Sequence, residues 1–159
     1  MSCRSIIRLI ACLALCLGVG FMGGIITSSE ITTWYAKLIK PSWTPPNWVF
    51  PVVWNILYAM MGVSLWLLWD RGREGLARNT AIVLFLVQLA LNAAWSPVFF
   101  ALHQTRAALA IIILMTIAIA GTIVAAWRTQ GAAAWLLMPY LAWVIYACSL
   151  NAGIVVFNG

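Results

Sequence analysis

Apolar residues run along this chain in long blocks broken only by short clusters of charge. The stretches Leu9–Ser29, Pro41–Trp69, Asn79–Thr105, Ala107–Trp127 and Thr129–Gly159 contain no Asp, Glu, Lys or Arg. Each matches or exceeds the roughly 20 residues that cross a bilayer as a helix. Backbone groups in lipid must be satisfied within the segment or within a closed barrel, and the apolar positions do not follow the two-residue alternation of a barrel strand. The pattern therefore predicts an all-α membrane protein, one domain over 1–159, with five transmembrane helices near 6–27, 47–69, 80–101, 107–127 and 133–156.

The connections are unequal. From about Ser28 to Pro46 the chain makes its longest link, and loops of that length tend to be functional or disordered. Trp34, Tyr35, Leu38, Ile39 and Trp43 argue for order, and Trp34–Leu38 suits either a short interfacial helix or an aromatic belt. Pro41, Pro45 and Pro46 stiffen the end of this link, while Pro51 is tolerable in the first turn of the helix that follows. Pro41 to Trp48 thus reads as a lid. The later links are short and predict that spans two to five are sequential antiparallel neighbours.

Composition agrees with the pattern. A hydrophobic share of 65% and a charged share of 8% stand against about half and about a quarter in soluble domains. The net charge of +6 comes from basic residues scattered over several loops, an arrangement that suits membrane interfaces and argues against nucleic acid. Arg4, Arg8, Arg71, Arg73, Arg78 and Arg128 fall on one side, Lys37, Lys40 and Arg106 on the other. That asymmetry favours an inner membrane with the N-terminus cytoplasmic, and has little force for an outer membrane. Leu13–Cys16 resembles a lipoprotein cleavage box only loosely, because Leu15 is bulky, so the first span is expected to be retained. Cys3, Cys12, Cys16 and Cys148 form neither CxxC pairs nor Cys/His clusters, so no metal site is expected.

No ionisable residue lies deep in any predicted span, which counts against an ion-coupled pump and against acid–base hydrolysis. Gln88, Asn92 and Ser96 repeat every four residues on one helix face, with Trp95 alongside. Trp54 and Tyr58 share a face of span two. Tyr140, Trp143, Ala147 and Asn151 form a stripe of span five, with Leu150 at its edge. Singly, the polar members of these faces read as interhelical hydrogen bonds. Together the faces suit an aromatic-walled cavity with a few neutral polar groups, matched to a large, flat, mostly apolar ligand such as a tetrapyrrole or sterol. Gly20 and Gly24 permit close helix packing in span one.

The same residues resemble the TspO/translocator protein family, also called peripheral-type benzodiazepine receptors. The likeness runs through Trp34-Tyr35, Lys40–Pro46, Trp48–Trp54 with Leu57-Tyr58, Gln88–Phe100, and Pro139–Trp143 with Ala147 and Leu150-Asn151. It implies a five-helix fold, commonly a homodimer, that binds porphyrins such as protoporphyrin IX as ligands rather than as a required cofactor, with sterol-like lipid and benzodiazepines bound by some members. It further implies that Trp54 and Trp143 match two pocket tryptophans linked to light-dependent porphyrin breakdown. By the same likeness Asn92 is a polar pocket residue, Tyr35 a loop residue near the ligand, and Ala147 a position that modulates sterol binding. The ligand set expected from all these arguments is Tyr35, Trp43, Trp54, Tyr58, Gln88, Asn92, Trp95, Ser96, Tyr140, Trp143, Ala147 and Leu150. The family's sterol motif needs a Tyr and a basic residue after its Leu-Asn pair, and Leu150–Val156 has neither. The expected role is tetrapyrrole binding and sensing; light-dependent degradation and passive transport are the alternatives.

Overall fold

A computed structural model of the chain describes residues 2–158. Its elements are α1 (Cys3–Glu30), a short α2 (Trp34–Lys37), α3 (Val49–Arg71), α4 (Leu76–Ser96), which continues into a π-helical turn (Pro97–Ala101), α5 (Thr105–Trp127) and α6 (Gly131–Asn158). Among the described residues there is no strand. All except α2 and the π turn are long enough to span a bilayer, α4 and its π turn crossing together, and their apolar composition gives five candidate spans.

Local chemistry sets the helix ends. Ser2 caps α1 by accepting from the Ser5 N–H at 3.2 Å. Pro51 is the third residue of α3, inside the first turn, where its missing N–H costs no ladder bond. Gly75 precedes α4 at φ 139°, a backbone state that side chains disfavour. At Pro97 the ladder cannot continue in α register, and the Leu102 N–H reaches the Pro97 carbonyl at 2.9 Å, one residue beyond the α spacing. Pro139, by contrast, lies inside α6 without ending it.

The five long helices close into a ring in the order α1, α3, α6, α5, α4. Sequential neighbours hold for α4, α5 and α6, but α3 and α4 meet only slightly because α1 packs on both. This corrects the expectation from loop length, and small residues are the cause. A Cβ on Gly62 of α3 would lie 2.9 Å from the Leu13 Cα and 3.2 Å from the Cys12 carbonyl, so only glycine admits α1 there. Gly20 of α1 lies against the Tyr58 ring just as tightly. At the ends of these helices opposite the lid, Asp70 accepts from Ser5 Oγ at 2.6 Å and pairs with Arg8 at 3.0 Å. The outer face of α1 exposes Ile7, Ile10, Phe21 and Met22, as suits a lipid-facing surface.

The link between α1 and α3 is ordered and fastened mainly to α6. Trp43 donates its indole N–H to Ser149 Oγ at 3.3 Å, and Tyr146 donates its hydroxyl to the Trp43 carbonyl at 2.6 Å. Pro41 packs on Gly153, where no side chain would fit. On the other flank Trp34 stacks on His103 with centroids 4.2 Å apart, and His103 Nε2 lies 3.5 Å from a Glu30 carboxylate oxygen. The segment is a lid with two fastened edges.

Candidate ligand-binding cavity

Beneath the lid lies a cavity of about 280 Å³. Its walls come from all five long helices and from the lid. Trp54 and Tyr58 of α3 supply one aromatic face, stacked with centroids 5.4 Å apart. Trp95, Phe99 and Phe100 supply another, Trp95 lying over Phe99 at 5.0 Å. The π turn buries Phe99 and Phe100 side by side, and Tyr35 of the lid closes against both. Burial raises the Tyr35 phenol above its ordinary range, with nearby Tyr146 adding to the effect. Lys40 sits over the Tyr35 ring at 4.7 Å and donates to the Tyr35 carbonyl at 2.9 Å.

A chain of neutral hydrogen bonds runs from the cavity into the core. The Tyr58 hydroxyl donates to Asn92 Oδ1, Asn92 Nδ2 donates to the Tyr140 oxygen at 3.0 Å, and the Tyr140 hydroxyl donates to Gln88 Oε1 at 2.7 Å. These bonds tie α3, α4 and α6 together; interhelical bonds in membranes contribute about 0.6–2 kcal/mol each. Nearer the lid, Trp95 Nε1 donates to Asn151 Oδ1 at 3.2 Å, and Asn151 Nδ2 donates to the Thr105 carbonyl at 3.0 Å. Most donors of this polar set are thus committed within the protein, the buried Gln88 Nε2 excepted, and Tyr58, Asn92, Trp95 and Asn151 line the cavity.

The residues expected from sequence divide by position. Tyr35, Trp54, Tyr58, Asn92, Trp95, Ser96, Ala147 and Leu150 line the cavity. Gln88 and Tyr140 are fully buried behind the wall; Tyr140 holds the network and meets Trp54 edge-on at 6.2 Å. Trp43 is half exposed on the lid, where it fastens rather than lines. Trp143 lies outside the wall, edge-on to Phe50 at 5.9 Å, and its buried indole N–H has no partner. Trp54 and Trp143, the two tryptophans that the resemblance pairs, therefore do not both face the cavity.

Other wall residues were not among those expected. Phe50, Ile112 and Met115 line the space, as do Gly23 and Gly24 of α1. Helix α5 is apolar nearly all round, so no periodicity in it singled out Ile112 or Met115. The glycines read as helix-packing positions, yet a Cβ on Gly24 would meet nothing within 4 Å. The space left at Gly24 belongs to the cavity. Among the described residues no group of His, Cys, Asp or Glu could hold a metal ion.

Comparison with known proteins agrees with this architecture. The sequence profile of the TspO/MBR family matches residues 12–157. The chain is 42% identical over 155 residues to the tryptophan-rich protein TspO of Chlorobaculum tepidum, covering 98% of each chain. It is 39% identical to the protein of the same name from Archaeoglobus fulgidus, covering 97% of this chain and 99% of that one. The human translocator protein is 43% identical over 133 residues, 82% of this chain and 78% of its own.

Proposed function

The chain belongs to the TspO/MBR family of integral, multi-pass membrane proteins, and on that premise we propose that it binds a tetrapyrrole, protoporphyrin IX or a close relative, in the cavity beneath its lid. The observation that carries this reading is the wall made by Trp54 stacked on Tyr58, with the Asn92 amide at its polar end. Flat rings recognise a flat macrocycle by stacking and apolar burial, and a few neutral groups orient it. Among the described residues the cavity lining includes no Asp, Glu, Lys or Arg, which supports passive binding over ion-coupled movement.

Titration of the purified protein with protoporphyrin IX tests the proposal. Saturable quenching of tryptophan fluorescence is expected, and it should weaken several-fold in Trp54→Ala. Unchanged affinity in that variant would remove the cavity assignment.

A second reading, light-dependent breakdown of the bound porphyrin, draws on the same stack. Trp54 and Tyr58 are electron-rich rings in contact, and Tyr58 is hydrogen-bonded inward. That reading requires an absorbing product formed only under illumination and lost in Trp54→Phe. Bleaching at the rate seen in detergent alone would reject it.

A further inference from the structure

We propose that Glu30, Trp34 and His103 form an acid-fastened latch: protonation of the His103 imidazole holds the α2 edge of the lid down over the cavity, and deprotonation releases that edge. The inference concerns access to the cavity and holds whatever ligand the cavity takes.

The backbone is the first ground. His103 follows the π turn at φ 55°, and among the described residues it is the one non-glycine residue with positive φ. It caps the turn: the Leu102 N–H reaches the Pro97 carbonyl at 2.9 Å, and the Gln104 N–H reaches the Val98 carbonyl at 3.0 Å. Glycine fills such a left-handed cap most cheaply. The imidazole that stands there instead joins two other elements. Its ring lies over Trp34 of α2 with centroids 4.2 Å apart at an interplanar angle of 15°. Its Nε2 is 3.5 Å from a carboxylate oxygen of Glu30, the last residue of α1. Thr33 donates its hydroxyl to the same Glu30 oxygen at 3.0 Å, which turns the carboxylate toward the lid.

Charge is the second ground. Histidine is the side chain whose charge ordinarily changes between about pH 5 and 8. A proton on His103 places a cation on the face of the Trp34 indole and beside an anion, and both contacts exist only while the α2 edge is closed. Closure is therefore strengthened as pH falls and weakened as pH rises. The π turn has no ionisable residue. The other charged groups on the elements packed here are Lys37 of α2, Lys40 of the lid, which lies over Tyr35, and Arg106 of α5. Lysine and arginine ordinarily keep their charge in this range, which leaves His103 as the group that switches. The latch bears on the cavity through its neighbours: Trp34 meets Phe99 edge-on at 5.6 Å, and Tyr35 closes against Phe99 and Phe100. The opposite edge of the lid is held to α6 by neutral hydrogen bonds and has no such switch.

Hydrogen exchange of the 31–40 segment, with the full chain in nanodiscs of zwitterionic lipid, reads the latch directly. Exchange is expressed as protection factors relative to α5, which removes the intrinsic effect of pH on the rates. Between pH 7.5 and pH 5.5 wild-type protection should rise about two- to tenfold, the scale of an exposed ion pair with a cation–π contact. His103→Asn, which suits the left-handed backbone but does not titrate, should give protection that is low and flat over this range. Glu30→Gln should keep the part of the rise that comes from Trp34 and lose the rest. Wild-type protection that does not change with pH would overturn the latch, and so would a rise that survives in His103→Asn. Melting curves check that the variants fold, and an undiminished rise in Glu30→Gln overturns the pairing without recourse to any His103 variant. No porphyrin enters the measurement, so failure of the latch and failure of the tetrapyrrole reading are distinguishable.

Discussion

The side-chain amide of Asn158, in the last turn of α6, grips both backbone polar groups of Ile39 in the lid. Its Oδ1 accepts from the Ile39 N–H at 3.0 Å and its Nδ2 donates to the Ile39 carbonyl at 2.9 Å. A lid residue more than a hundred positions away in sequence is thus paired as if by a neighbouring strand. Each such bond is worth about 0.5–1.5 kcal/mol net. Losing both, about 1–3 kcal/mol together, should raise the opening of the lid about 5- to 150-fold when Asn158 is replaced by Ala. Hydrogen exchange at the amides of 38–44 measures this, with the rates of α5 as the internal control.

Asn92 stands at the centre of the chain from Tyr58 to Gln88, bonding α3 on one side and α6 on the other. Asn92→Ala removes two interhelical bonds and leaves Tyr58 and Tyr140 short of partners. A loss of about 1–3 kcal/mol is expected. On the scale of about 2–4 °C per kcal/mol for chains of this size, the melting temperature in detergent should fall by about 2–12 °C. Tyr58→Phe, which breaks only one of the bonds, should cost less.

Gly20 and Gly24 are four residues apart on α1 and read alike in sequence, but they should respond differently to alanine. At Gly20 the new Cβ meets the Tyr58 ring, which the hydrogen bond to Asn92 holds in place. Overpacking of this kind costs about 1–3 kcal/mol. At Gly24 there is nothing within 4 Å, and alanine is the better helix former by about 1 kcal/mol. Thermal melts of the two variants should move in opposite directions, and Gly24→Ala should also narrow the cavity enough to weaken a tightly fitting ligand.

At the helix ends opposite the lid, Asp70 collects Ser5 Oγ and Arg8, joining α1 to α3. The Arg8 side chain is 28% exposed, so solvent screens the pair. A double-mutant cycle between Arg8→Ala and Asp70→Ala should give only a small favourable coupling, reduced further by salt. A coupling of several kcal/mol would mean that this end is drier than its exposure indicates.

Much of the architecture was legible in the chain. Hydrophobic run length defines the five spans, because a backbone in lipid without the alternation of a barrel strand can only be helical. The same sequence marks Pro51 as a helix start, Pro97 as a break in the ladder, and the proline–tryptophan segment as ordered. The four-residue spacing of Gln88, Asn92 and Ser96 places them on one side of α4, and Asn92 and Ser96 do line the cavity. Periodicity says which residues share a face; it does not say which of them reach the opening and which are buried one turn deeper. Gln88 and Tyr140 are of the second kind.

What the sequence alone determined, then, is the set of helices, the lid and the chemical character of the faces. The tertiary structure decided the neighbours, since the order α1, α3, α6, α5, α4 depends on where Gly20 and Gly62 let backbones approach. It also decided that Trp54 lines the cavity while Trp143, edge-on to Phe50, does not. Both residues are tryptophans on apolar helices within the same recognisable pattern. Only the crossing of α3 over α6, with the π turn and lid packed above, determines which of the two indoles meets the cavity.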